Sequence, residues 1–265
     1  MIRLENIYLT LGGHQVLKDV SLDIGKGETG VILGASGSGK TTILRIILGL
    51  YKPDSGRVYL NGDDLTSLDE DGVYRVRAMM GMVFQSGALF DSLTVGENVA
   101  YRLKEQGLLE EYEMEERVLK SLRFVGLDEA VDLMPSELSG GMKKRVAIAR
   151  GIASNPKLML YDEPTAGLDP INAYNMNSLI NRLRTEEGVT SVVVTHDLIS
   201  AFTVATRVAV IDEGSIVYTG DKDGLLACED ERVKKFLLHS GCLPMFSNAA
   251  GPMPNDLGEI GRAVS

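Results

Sequence analysis

The sequence predicts an α/β protein: a mostly parallel sheet, an antiparallel β region ahead of it, and a block of helices set into it. Three observations carry that expectation. An unbroken β-type run, Thr29–Leu33, passes through a glycine-rich loop into a helical run. After Pro156, short apolar runs alternate with helical spacers, the rhythm of βαβ units and a parallel sheet. Between these regions, from about Leu93 to Ser154, the pattern is mostly helical.

In chain order, Ile2–Leu11 and Val16–Ile24 are β-rich runs split by Gly12-Gly13, and Gly27-Glu28 makes a second turn. Thr29–Leu33 does not alternate, which suits a strand covered on both faces. A helix is expected over Thr41–Leu50. Val58–Leu60 runs into the hairpin signal Asn61-Gly62. Met79, Met80 and Met82 read as core packing. Glu110–Phe124 opens acidic, as the positive end of a helix favours. It sets Val118, Leu119, Leu122 and Val125 on one face and stops at Gly126. Lys143–Ala153 is a second long helix, and Leu158–Tyr161, Ser191–Thr195 and Val208–Ile211 are short strands. Glu229–Ser240 is a short amphipathic helix with Val233, Phe236 and Leu237 on its apolar face. Gly241–Ser265, rich in Gly and Pro, is an extended tail whose Leu243, Met245 and Phe246 are expected to dock on a partner copy. Residues 1–240 then form one domain, with the helical block inserted at about 86–155.

Composition narrows the function. The 265 residues hold 27 Lys and Arg against 37 Asp and Glu, a net charge of −10. Sequence-independent binding of nucleic acid needs a surplus of cations, so no nucleic-acid partner is expected. No apolar run approaches the ~20 residues that cross a bilayer. Met1–Glu5 has neither the basic region nor the apolar core of a signal peptide. A role at a membrane is therefore expected to come through a partner. Cys228 and Cys242 lie in no C-x-x-C pattern and read as reduced cytosolic thiols.

Gly34-Ala35-Ser36-Gly37-Ser38-Gly39-Lys40-Thr41 matches G-x-x-x-x-G-K-[ST], with a strand before it and a helix after it. Its glycines let backbone N–H groups turn inward around a phosphate, and the helix aims its positive end at the same place. Lys40 supplies a point charge to the β- and γ-phosphates and Thr41 a hydroxyl for Mg²⁺; Thr42 adjoins them at the helix start. The loop indicates a nucleoside triphosphatase without saying which kind.

Further residues choose the kind. Leu158–Tyr161 ends in Asp162-Glu163. A carboxylate at a strand end beside the phosphate loop suits Mg²⁺, the role of Asp162, and Glu163 then stands where it can take a proton from an attacking water. Ser139 is a good N-cap, and with Gly140 and Gly141 it bares backbone N–H groups at a helix start, a second anion cradle. One copy of the chain has little use for two. His196 follows Val192-Val193-Val194-Thr195 at a strand's C-terminal end, where α/β sheets put their ligands, and Gln85 is likewise at a strand end.

The set resembles the ATPase subunit of ABC transporters. Lys40 lies in a Walker A loop, Asp162 in a Walker B strand, and Glu163 resembles the catalytic glutamate. Leu138–Met142 resembles the signature motif, Gln85 the Q-loop glutamine, Ala166-Gly167-Leu168-Asp169 the D-loop and His196 the switch histidine, in the family's order over roughly residues 2–225. The resemblance implies a P-loop NTPase (RecA-like) core with an N-terminal antiparallel β subdomain and an inserted α-helical subdomain. It implies ATP and Mg²⁺, with Gln85 sharing the metal or orienting water and His196 on the γ-phosphate. It also implies a head-to-tail dimer, in which ATP lies between the Walker A loop of one copy and Ser139, Gly140 and Gly141 of the other.

Met142 stands where that family usually has Gln. Together, Met134–Met142 and Phe84–Phe90 resemble the ATPase of the Mla and Mce-associated lipid transporters. That implies an integral-membrane permease, an MCE lipid-binding protein and often a small STAS-domain subunit. The chain would then be peripheral on the cytoplasmic face of the inner membrane, with a phospholipid or other hydrophobic cargo tied to outer-membrane lipid asymmetry. Ser86–Tyr101 would receive the permease's coupling helix, and Phe90, Leu93 and Val95 either line that groove or belong to the core. Leu11 stands where many ABC ATPases carry an aromatic that stacks on adenine. Stacking is worth ~1–3 kcal/mol per base, so an aliphatic residue there weakens the preference for ATP. Two other readings compete: an importer of a small polar solute, and a soluble ATPase for assembly or repair.

Overall fold

The computed structural model describes residues 1–107 and 109–240. Gly12 and Gly13 have φ of 57° and 81°, a left-handed pair that side chains resist. The turn therefore takes only those two residues, and β1 (Ile2–Leu11) folds back on β2 (His14–Ile24) with Leu11 opposite His14. β2 begins before the expected Val16 because the ladder is made by backbone groups and does not need apolar side chains. With β4 (Ser55–Leu60) and β5 (Asp63–Asp64) these strands form an antiparallel sheet in the order β2-β1-β4-β5.

A second sheet holds β3 (Thr29–Leu33), β6 (Met80–Val83), β7 (Leu158–Asp162), β8 (Thr190–Thr195), β9 (Arg207–Asp212) and β10 (Ser215–Gly220). Its order is β10-β9-β3-β8-β7-β6, parallel except for β10 at the edge. Strands β3, β7 and β8 are buried at every position. Alternation sorts their side chains. Leu158, Leu160, Val192 and Val194 share a core with helix α1 (Lys40–Ile47) and the antiparallel sheet, while Met159, Tyr161 and Val193 pack with the helices on the other side. Helix α1 therefore lies in the core between the two sheets and buries Ile43, Leu44, Ile46 and Ile47. It stops at Ile47, short of the expected Leu50, because Gly49 turns left-handed at φ 67°.

After β5 comes α2 (Glu70–Ala78), and between β6 and β7 run α3 (Val95–Gln106), α4 (Glu111–Phe124) and α5 (Gly140–Ala153). Helix α5 begins at Gly140 rather than at Lys143. Ser139 accepts a hydrogen bond from the Met142 N–H at 3.2 Å, and this cap offsets the poor helix propensity of two glycines. The sequence did not announce α2, which buries only Gly72 and Val76, or edge strand β10, which has no fully buried residue. Both lack the apolar stripe that patterning detects. The chain continues with α6 (Pro170–Glu187), α7 (Leu198–Val204), α8 (Lys222–Leu226) and α9 (Glu231–His239). Asp230 caps α9, which buries Val233 and Leu237 and half-buries Phe236. The expected tail, Gly241–Ser265, lies outside the described residues. Among those described, no helix is long and apolar enough to cross a membrane.

Candidate active site

Adjacent strands β3, β8, β7 and β6 end at one edge of the parallel sheet, and the expected residues sit in the turns that follow. The loop after β3 closes over the start of α1. Side chains are barred from its base: a Cβ on Gly34 would lie 2.5 Å from the Ile211 carbonyl oxygen. Gly39 has φ 109°. Lys40, only 6% exposed, donates from Nζ to the carbonyls of Gly34 at 2.8 Å and Ala35 at 2.9 Å. Nζ is also 3.7 Å from Glu163 Oε1. Burial lowers the Lys40 pKa, against the opposing pull of Glu163 and Asp162.

Asp162 ends β7 and is 8% exposed; its Oδ1 accepts from Thr41 Oγ1 at 3.0 Å. Burial raises its pKa, partly offset by the Thr41 hydrogen bond. This hydroxyl–carboxylate pair beside a phosphate loop fits Mg²⁺, which takes one or two protein oxygens and completes its shell with phosphate and water. The Ser38 hydroxyl, buried without a hydrogen-bond partner among the described residues, leaves a further polar group behind the loop.

Glu163 has φ 48°, unusual for a residue with a side chain. That backbone is pinned by its N–H donating to the Val194 carbonyl at 2.9 Å. Its carboxylate accepts from Thr195 Oγ1 at 3.1 Å and lies 3.0 Å from His196 Nδ1. A strained backbone over-determined by its surroundings is how a reactive carboxylate is held in one place.

A cleft of about 500 Å³ brings together Ala35, Ser36, Gly37, Gly39, Lys40, Thr41, Thr42, Gln85, Glu163 and His196. Gly34, Ser38 and Asp162 are not in its lining. The imidazole of His196 meets Glu163, a contact that the sequence did not indicate. Leu11 is not in the lining either; it packs against the core under the antiparallel sheet, and Val16 of β2 borders the cleft instead. Ser139, Gly140 and Gly141 are outside the cleft, with Ser139 and Gly140 exposed.

Sequence reasoning missed the residues that connect these parts. Lys144 of α5 is 6% exposed, and its Nζ donates to the Glu163 carbonyl at 3.4 Å and to the Ala166 carbonyl. Burial lowers its pKa against the pull of Glu163. A Cβ on Gly141 would lie 2.8 Å from Asn172 Oδ1, and Asn172 also bonds Asp169, the cap of α6. Thr165, Asp197, Ser200 and Asn177 link the turn after β7 to the turn after β8. Asn98, 0% exposed, clasps the chain after Gln85 by bonding the Phe90 N–H and the carbonyls of Phe90, Leu93 and Thr94. Arg150 of α5 donates to the Gly87 and Ala88 carbonyls of the same stretch. Lys144 amid an apolar helix pattern was the one visible signal, since a lysine there needs a partner.

The fold and site define a P-loop nucleoside triphosphatase with a helical block set between the Gln85 and Asp162 strands. A family model described as ABC transporter matches residues 17–166. The chain is 39% identical over 259 residues to the intermembrane phospholipid transport system ATP-binding protein MlaF of Escherichia coli (strain K12), covering 97% of this chain and 96% of that one. It is 41% identical over 221 residues to the methionine import ATP-binding protein MetN of Bifidobacterium longum (strain NCC 2705), covering 83% of this chain and 55% of that one. Among solved structures it resembles the dimeric ATP-binding cassette MJ0796 in a post-hydrolysis state bound to ADP and Pi, with TM-score 0.77, 36% identity and coverage of 83% and 98%. The chain belongs to the ABC transporter family and is an ATPase of that family.

Proposed function

We propose that this ATPase powers transport of phospholipid, or a similarly hydrophobic molecule, through an inner-membrane permease and an MCE lipid-binding protein. The observation that carries the reading is the match to the phospholipid-system relative along nearly the whole of both chains. The methionine-import relative has almost half its length beyond the match. That similarity still supports a second reading, import of a small solute.

A groove of about 490 Å³ supports a membrane partner. Leu50, Tyr74, Phe84, Phe90 and Tyr101 line it and are each at least 37% exposed. Such clustered exposed apolar side chains suit a docked helix, here a cytoplasmic helix of the permease. Phe90 belongs to the groove, its ring tilted against that of Tyr101 with centroids 4.5 Å apart, whereas Val95 is core at 0% exposure and Leu93 is half-buried outside the groove.

In the proposed mechanism, loop N–H groups and Lys40 bind the triphosphate. Thr41 and Asp162 would hold Mg²⁺, which would supply Lewis-acid stabilisation of phosphate charge; Gln85 lines the same cleft as Thr41. Glu163, oriented by Thr195 and His196, takes the proton of the attacking water. Ser139, Gly140 and Gly141 of the partner subunit complete the donor set when two copies close head to tail, excluding water from the developing charge. The chain then works on the cytoplasmic face of the inner membrane, with a STAS-domain subunit as a further candidate partner.

Affinity purification from native membranes tests this reading. A permease and an MCE protein should co-purify, and the chain should leave the membrane fraction when the permease is deleted. Recovery with an amino-acid permease, or unchanged soluble fractionation, would refute it.

A further inference from the structure

The cleft reaches past the phosphate loop. Phe236 and His239 of α9, with Ser240 at its C-cap, border it together with Val16 of β2. None of the four belongs to a recognised motif. Lys40, Gln85, Glu163 and His196 also line it, so the cleft combines charged and polar groups with an aromatic and an aliphatic one. A nucleoside triphosphate needs both, being charged at one end and flat and apolar at the other.

We propose that α9 holds the nucleoside end of ATP. Phe236 offers the base an aromatic face, and His239 offers the base or ribose a hydrogen bond. Val16 borders the loop closely: a Cβ on Gly39 would lie 3.4 Å from the Val16 carbonyl oxygen. The helix that carries Phe236 is fixed, since Val233 and Leu237 are 0% and 3% exposed. Phe236 itself is only half-buried, packed on the core yet bordering the cleft. His239 Nδ1 lies 2.7 Å from the Lys235 carbonyl. A carbonyl only accepts, so Nδ1 carries the proton, and in the neutral ring Nε2 is left as an acceptor for a ribose hydroxyl or base amine. An aromatic face stacks on any base. The site therefore binds nucleotides without the strictness that a residue reading base edges would confer.

The proposal rests on the phosphate site above, and the test separates the two. ATP and inorganic tripolyphosphate, each with Mg²⁺, are titrated into the full-length chain, because tripolyphosphate has no nucleoside. Phe236→Leu keeps the apolar packing and removes the ring; it should raise the Kd for ATP at least about fivefold, given what stacking contributes. His239→Ala should raise it about two- to tenfold, the worth of one hydrogen bond. Neither should change the Kd for tripolyphosphate. Unchanged ATP affinity in both variants, or equal losses for both ligands, would overturn the proposal. Lys40→Ala should weaken both ligands. If it weakens neither while Phe236→Leu still affects ATP alone, the phosphate assignment fails and the role of α9 stands.

Discussion

The two glycine cradles of this chain use the same parts and are finished differently. The first, Gly34 to Thr41, is backed by both sheets, holds a buried lysine and opens into a cleft that already contains Glu163 and His196. The second, Ser139 to Gly141, has an exposed cap and open space above Gly140, where an added Cβ would meet nothing within 4 Å. Beneath, it is not loose. Lys144 joins its helix to the carbonyl of Glu163, Asn172 packs on Gly141, and Arg150 reaches the chain after Gln85. The comparison teaches that the first cradle opens into a cleft within one copy of the chain, whereas the second faces outward, as the proposed shared site requires. Helix α5 thus ties the second cradle to the Glu163 turn and to the chain after Gln85.

The largest effect expected is at the chemistry of the first cradle. Glu163→Gln keeps the shape but cannot accept a proton, and should lower turnover ~10²–10⁴-fold with nucleotide still bound. Steady-state hydrolysis within a few-fold of wild type would remove Glu163 from that role.

The contrast between the two cradles can be tested by mixing. Lys40→Ala should weaken nucleotide binding, whereas Ser139→Arg should spare binding and block closure, so each homodimer should be inactive. A mixed dimer rebuilds one intact composite site and should reach about half of a wild-type dimer's turnover if the sites fire independently, so a randomly paired equal mixture should reach about a quarter of wild-type activity. No recovery across a range of mixing ratios would count against a shared site.

A smaller loss is expected from cutting the tie between the cradles. Lys144→Met removes the side-chain donor to the Glu163 and Ala166 carbonyls and leaves the Glu163 carbonyl only the Ala166 N–H; the resulting shift of Glu163 should cost ~10–100-fold in kcat with little change in nucleotide Kd. Lys144→Gln retains a donor and should recover most of that loss. Equal falls in the melting temperatures and activities of both variants would indicate a role in stability alone.

The smallest effect should come from Leu11. It is not in the lining of the cleft, so Leu11→Tyr should leave the ratio of ATP to GTP specificity constants within about threefold, less than the ~1–3 kcal/mol of a full stacking contact. A larger shift toward ATP would return the base to the β1–β2 turn and oppose its placement at α9.

Much of the site was legible because it is written in local runs. A phosphate loop needs glycines at fixed spacing before a lysine, and a Walker B strand is an apolar run ending in acid; both patterns survive in one dimension. The contact of His196 with Glu163 was not legible, since the two meet only because β7 and β8 are paired with Asp162 beside Val194. Asn98 was not legible either. Its position in a helix says nothing of the four backbone groups that it holds.

The sequence by itself determined the fold class, the order of the strands that carry the motifs, and the chemistry at each turn, because periodicity and glycine spacing act over a few neighbouring residues. Tertiary structure alone decided which cradle became a cleft, that of Leu11 and Val16, both packed on the core, Val16 also lines the cleft, and that α9 borders that cleft. It also decided that α5 is anchored to the turn of Glu163 through Lys144. Those outcomes depend on sheet order and helix packing, which join residues far apart in the chain, and no local pattern encodes such distances.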